Sequence, residues 1–371
     1  MCANSGVIGP GSPDMTDIHE NPLGTDGFEF VEFSSDNPEA LADLFTRMGF
    51  TAVAKHKTKD IVRYKQGDTT FLLNREIEGQ AAEFRKQHGP SANAMAFRVK
   101  DAKKAFDMAI ERGAKAYTQG VWADADAIPA IYGIGDSVLY LVDTYGEDTL
   151  YDTFFDPIEG AVDTGGVGLD VLDHLTHNVF NGAMDKWAGF YEDVFNFREI
   201  RYFDIKGKHT GLLSRAMTGA CGKLKIPLNE SSDDQSQISE YLRDYNGEGI
   251  QHIAMTTPDI YATVDKLREN GLILQDTPET YYELIDTRLP GHGEPVEELR
   301  KRRILLDGDP ANGDGLLLQI FTATCIGPIF FEIIQRKGNE GFGEGNFKAL
   351  FESIELDQVR RGVIKTDEPA E

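Results

Sequence analysis

Apolar residues recur along this chain in two periods, and the whole pattern is written twice. From Phe28 the runs FEFVEF, DIVRYK, TTFLLN and NAMAFRV read as strands, with helical spacing between them. Leu41, Leu44, Phe45 and Met48 fall at i, i+3, i+4 and i+7, one face of a helix. Asn37-Pro38 supplies a capping side chain and a first-turn proline, and Gly49 supplies a stop. The order returns from Leu169. Trp187, Phe190, Tyr191 and Val194 repeat that helical face 146 residues later. DAKKAFDMAIERGA, from Asp101 to Ala114, matches DIYATVDKLRENGL, from Asp259 to Leu272, at an offset of 158. Each begins on a capping Asp and stops at Gly. The pattern predicts an α+β chain of two homologous halves, each made of βαβββ-type units whose mixed sheets curl around a cavity. The expected bounds are a disordered extension over 1–26, a first half over 27–158, a Gly-rich linker over 159–168 and a second half over 169–371.

The repeat acts as an internal control on candidate chemistry. LDHLT falls on FEFVE, so His174 takes the place of Phe30; IQHIA falls on ANAMA, so His252 takes that of Ala94. FFEIIQRKG falls on LYLVDTYG, so Glu332 takes that of Tyr140. Glu332 lies inside the apolar strand IFFEII, where a buried carboxylate costs several kcal/mol unless something neutralises it. Two imidazoles and one carboxylate on one face are a common iron(II) site with open positions. The three residues stand about 80 apart, one per structural unit rather than in a local motif. His177 competes with His174, because residues three apart on a strand face opposite sides and the pattern alone does not choose. His19, His56, His88, His209 and His292 read as solvated surface histidines. Gln319 and Phe321 share one face of LLLQIF, and Phe330 shares the face of Glu332. Phe347 and Phe351 lie one turn apart in NFKALF, after a GFGEG turn suited to a mobile lid.

Composition narrows the partners. A net charge of −25 over 371 residues argues against nucleic acid and against an anionic membrane surface. Three scattered cysteines form no disulfide framework and fit a reducing cytoplasm. No apolar run approaches a membrane span, and the first residues lack the basic and apolar regions of a secretory signal.

LDHLTHNV, RYFDIKG, IPLNE, GEGIQHIA, RLPGHGEPV, LLLQIF, FFEIIQRKG and GFGEGNFKALFESIE, in this order, resemble the 4-hydroxyphenylpyruvate dioxygenase family from about Gly27 to Gly362. The resemblance implies the vicinal oxygen chelate fold of paired half-open barrels, metal-less in the first half and iron(II)-binding in the second. It implies His174, His252 and Glu332 as ligands and so decides against His177. It implies Ser214, Asn229, Gln237, Gln251 and Gln319 as polar pocket residues that orient the substrate. As the strand neighbour of His252, Gln251 would point away from iron. Phe321, Phe330, Phe342, Asn346, Phe347 and Phe351 become the aromatic wall and C-terminal gate. The implied substrates are 4-hydroxyphenylpyruvate and dioxygen, the products homogentisate and carbon dioxide, and the assembly a homo-oligomer, dimeric or tetrameric. 4-Hydroxymandelate synthase, with the same fold, metal and substrate, is the alternative reading; a non-catalytic binding protein on this fold is the more distant one.

Overall fold

The structure is a computed structural model describing residues 17–119, 128–146, 149–206, 211–234, 236–346 and 348–350. In the first half the strands are β1 (Thr25–Ser34), β2 (Thr51–His56), β3 (Ile61–Gln66), β4 (Thr69–Asn74), β5 (Ser91–Val99), β6 (Ala130–Tyr132), β7 (Val138–Val142) and β8 (Phe155–Pro157). In the second they are β9 (Leu172–Asn178), β10 (Arg198–Lys206), β11 (Gly211–Thr218), β12 (Lys225–Glu230), β13 (Gly249–Thr256), β14 (Leu305–Gly308), β15 (Leu316–Phe321) and β16 (Phe330–Lys337). Among the described residues they form two eight-stranded sheets that match over seven strands: β6-β7-β5-β1-β4-β3-β2 in the first correspond to β15-β16-β13-β9-β12-β11-β10 in the second, with β8 added beyond β2 and β14 beyond β15. Each sheet has a half-barrel curl.

The helices start where the sequence caps them. Asn37 accepts from the Ala40 amide at 3.3 Å, Asp101 from Lys104 at 2.8 Å and Asp259 from Ala262 at 3.1 Å. The helices Pro38–Arg47 and Met184–Phe195 bury the apolar faces predicted for them, save the half-buried Phe190.

The strand ladders reproduce the alignment of the halves. Phe30 pairs with Ala96 as His174 pairs with Ala254. Val138 and Tyr140 pair with Ala94 and Ala96 as Phe330 and Glu332 pair with His252 and Ala254. The first half therefore fills with Phe30, Ala94 and Tyr140 the place that the second gives to two imidazoles and a carboxylate. The Phe30 and Tyr140 rings lie 5.8 Å apart within that half's own apolar cluster.

Both halves also share their irregularities. The ladders slip at Glu29 and Asn93 in the first half and at Asp173 and Gln251 in the second, and in each case the slipped residue directly precedes a position on the cavity face.

The halves are packed together. Phe331, between Phe330 and Glu332 on β16, lies 5.7 Å from Phe71 and 6.4 Å from Phe33. The expected linker is docked at its C-terminal end: Val167 and Leu169 are buried, and the fully buried Gln66 Oε1 accepts from the amides of Val167, Gly168 and Leu169 at 2.7, 3.2 and 3.3 Å. Gln66→Ala should lower stability by about 2–3 kcal/mol, because it leaves buried donors unpaired. The midpoint of urea denaturation checks this, and an unshifted midpoint would mean that the three amides have other support.

Two expectations are corrected here. The extension is ordered from Asp17, where the Ile18 amide donates to the Ala220 carbonyl at 2.7 Å and His19 Nε2 meets the Asn196 carbonyl at 2.8 Å; residues 1–16 lie outside the described residues. His56 and His88 are buried rather than solvated. His88 packs on Phe84 and stacks 4.7 Å from Tyr245 of the other half, donating from Nδ1 to the Tyr245 carbonyl at 2.8 Å. Burial lowers its affinity for a proton.

Candidate metal centre

Three neighbouring strands, β9, β13 and β16, bring His174, His252 and Glu332 together, with ligand atoms all within 4.8 Å of one another. Glu332 Oε2 lies 3.1 Å from His174 Nε2 and 3.3 Å from His252 Nε2. Metal–ligand bonds of about 2.1 Å at right angles would set neighbouring ligand atoms about 3 Å apart, so the donor set and its spacing fit one divalent ion.

Each of these three side chains is held from behind. Asp173 stands at a bulge of β9, which lets this neighbouring residue reach round to its ligand; Oδ1 accepts from His174 Nδ1 at 2.8 Å. Gln251 stands at the corresponding bulge of β13, and its Oε1 accepts from His252 Nδ1 at 3.0 Å. Both imidazoles are left with Nε2 toward Glu332. On the third ligand, Gln319 Nε2 donates to Glu332 Oε1 at 2.7 Å. Gln319 Oε1 accepts from Asn346 Nδ2 at 2.6 Å, and Asn346 Oδ1 accepts in turn from the Tyr281 hydroxyl at 2.5 Å. Asp173 is also gripped by Arg336, whose Nε and Nη2 donate to its two oxygens at 2.9 and 2.7 Å.

The electrostatics follow from this packing. Burial pushes the Glu332 carboxyl upward, but hydrogen bonds and charge from His174 and His252 outweigh it and hold the group down to about 2. Burial opposes a proton on His174, yet Asp173 and Glu332 together raise its affinity for one. His252, without a second carboxylate, is lowered by burial despite Glu332.

His177 faces the other side of β9, where its Nε2 meets the Tyr191 hydroxyl at 2.7 Å. Burial pushes this histidine down to about 3, so it is neutral and outside the cluster. Its folded affinity for a proton lies below the unfolded value. The stability it contributes is thus present above pH of about 6.5 and is lost as pH falls toward 3. The slope should approach about 1.4 kcal/mol per pH unit. Denaturation of metal-free protein at pH 6.5 and 4.5, compared with His177→Gln, checks it: the variant should show a shallower loss.

The cavity in front of the cluster is lined by His174, Thr176, Phe203, Leu212, Ser214, Pro227, Asn229, His252, Gln319, Phe321, Glu332, Phe342 and Glu344. Of the residues expected there, Ser214, Asn229, Gln319, Phe321 and Phe342 line it with His174, His252 and Glu332. Ser214 and Asn229 are partners across β11 and β12. Phe330 stacks on the His252 ring at 5.0 Å, and Phe342 sets its edge against His174 at 5.4 Å. Asn346 stands behind Gln319. Two amides are placed elsewhere: Gln251 is behind His252, and Gln237 is exposed at the start of the helix Gln237–Asp244, where its polar side chain faces water. Phe347 and Phe351 lie outside the described residues. Thr176, Phe203, Leu212, Pro227 and Glu344 were not anticipated. Thr176 was within reach, since it sits two residues after His174 and so shares its face; its buried hydroxyl has no partner among the described residues. The GFGEG turn fits only as glycine at Gly343, where φ is +77° and a Cβ would stand 1.8 Å from Gln319 Oε1. Residues 344–346 and 348–350 are helical.

With these sheets and this site the chain falls in a known class: residues 171–284 match the Glyoxalase/Bleomycin resistance protein/Dioxygenase superfamily. Residues 19–156 match the family described as hydroxyphenylpyruvate dioxygenase, N-terminal. The chain is 60% identical over 348 residues to 4-hydroxyphenylpyruvate dioxygenase of Pseudomonas aeruginosa, covering 93% of this chain and 97% of that protein. It therefore belongs to the 4-hydroxyphenylpyruvate dioxygenase family. It is also 59% identical to Hemolysin VllY of Vibrio vulnificus, over 93% of this chain and 98% of that one. A solved mutant of 4-hydroxymandelate synthase from Streptomyces coelicolor is 27% identical, with a TM-score of 0.77 over 91% of this chain and 100% of its own. Among the described residues no helix is long and apolar enough to cross a membrane.

Proposed function

We propose that the chain converts 4-hydroxyphenylpyruvate and dioxygen to homogentisate and carbon dioxide, with iron(II) held by His174, His252 and Glu332. The observation that carries this reading is a two-imidazole, one-carboxylate cluster whose every ligand is fixed by a second hydrogen bond. Bound iron(II) would supply the redox chemistry with dioxygen that no side chain provides. The chain's own residues bind, orient and exclude water. Phe321, Phe330 and Phe342 form an apolar wall suited to an aromatic ring, while Ser214, Asn229 and Thr176 offer polar contacts away from it. Gln319 stays committed to Glu332 and Asn346, so its task is to hold the carboxylate's orientation. The keto acid end of the substrate belongs beside the cluster and the phenol end beside Ser214 and Asn229.

Phe342 and Glu344 of the C-terminal segment line the cavity beside the cluster, which supports the gate assigned to that segment. The second half, from 169 onward, is accordingly the catalytic one, and the first, over 27–158, its metal-less counterpart. The scattered cysteines keep the cytoplasm as the proposed compartment.

The test is dioxygen uptake by the purified protein with iron(II), ascorbate and 4-hydroxyphenylpyruvate, followed by identification of the product. Homogentisate is expected. Hydroxymandelate would keep the metal site and reassign the reaction, and absence of both uptake and bound iron would overturn the proposal.

A further inference from the structure

Arg336 stands four residues after Glu332 on β16, so both point from the same face of the strand. Its guanidinium serves two clients at once. Nε and Nη2 hold the two oxygens of Asp173, which in turn holds His174 Nδ1. Nη1 donates to the carbonyls of Asn339 and Gly341 at 3.0 and 2.7 Å. Those carbonyls belong to the stretch that leads into Phe342, whose ring rests on the His174 imidazole. Lys225 repeats the connection more loosely, 2.9 Å from Glu340 and 3.8 Å from Asp173.

We infer that Arg336 is a positioning residue that makes the seating of residues 339–342 and the orientation of His174 a single event. The inference rests on the metal site proposed above. With the segment seated, its two carbonyls hold the planar guanidinium where Asp173 can accept from it in bidentate fashion. Asp173 so fixed keeps the proton on His174 Nδ1 and leaves the Nε2 lone pair for the metal. When the segment lifts, Arg336 loses two acceptors, and Asp173 loses the partner that sets its plane. Lysine in its place keeps the charge but has no fork with which to serve both sides. Coupling between two sites is reciprocal, so a metal at the cluster must also favour the seated segment.

The experiment uses the full chain and Arg336→Lys and Arg336→Gln. Iron(II) affinity is read by competition with a coloured chelator, and amide hydrogen exchange over 339–346 is read with and without iron(II). In the unsubstituted protein, iron(II) should slow exchange in that segment. In both variants iron should bind about 10–100-fold more weakly, and the iron-dependent slowing should vanish while exchange in β1 and β5 stays as before. Wild-type affinity in a folded Arg336→Lys protein overturns the inference. So does exchange over 339–346 that is indifferent to iron in the unsubstituted protein, a result that needs no variant to fold. Failure of the metal site itself would look different, because the unsubstituted protein would then bind iron no better than Glu332→Gln.

Discussion

Glu332→Gln is expected to give a folded protein that no longer retains iron(II) and turns over 4-hydroxyphenylpyruvate at least about a thousandfold more slowly, a loss of about 4 kcal/mol. The substitution is nearly isosteric, so the argument rests on polarity. The Gln319 amide needs an acceptor and finds it at present in Glu332 Oε1. A glutamine at 332 would keep that bond only by turning its oxygen toward Gln319. Its NH2 group would then face the two imidazole Nε2 atoms and offer donors where a cation needs lone pairs. The negative charge that offsets a divalent cation in a buried site would also be gone. Metal content after desalting and dioxygen uptake measure the two losses. Activity near that of the unsubstituted protein would remove Glu332 from the ligand set.

Gln319→Leu should be the next most damaging change, although this residue is no ligand. The side chain is buried and bridges Glu332 Oε1 to Asn346 Nδ2. Leucine fills the volume but leaves an acceptor on one side and a donor on the other without partners. Each orphaned group costs about 1–3 kcal/mol. Part of that cost falls on the carboxylate's orientation and part on the seating of Asn346. Turnover should drop by about 10–100-fold with iron still bound at higher metal concentration, a pattern that separates this variant from Glu332→Gln. Steady-state rates measured across an iron(II) titration check it. A rate fully restored by iron would confine Gln319 to metal retention, and an unchanged rate would deny it any part.

The repeat made the candidate cluster legible. Once the halves were matched on their helices, His174, His252 and Glu332 each faced an apolar or aromatic counterpart, and the strand ladders keep that correspondence. The amphipathic helices and their caps were legible for the same reason, since period and capping chemistry are local. The supports behind the ligands were harder to see. Regular alternation sends Gln251 away from the metal, which is correct, but only the bulge explains how its amide still reaches the adjacent His252. Asp173 was hidden by the same rule, and bulges leave no clear mark in a single sequence. His56 and His88 were misread because what buries them is distant in the chain; Tyr245, which covers His88, lies in the other half. Gln237 was assigned to the pocket through resemblance; its place at the start of the amphipathic helix QISEYL was legible, but its exposure depends on packing that spacing does not carry.

Phe331 bears on how a mutational survey of this chain would look. It is the residue before Glu332, and its ring points away from the cluster to rest on Phe71 and Phe33 of the first half. The backbone that aims the carboxylate is thus clamped from the far side by aromatic rings. Iron-retention defects in a random library should accordingly form two patches rather than one. The first would surround the ligands, and the second would centre on Phe71, where a ranking by distance to the metal alone would score the same changes as harmless.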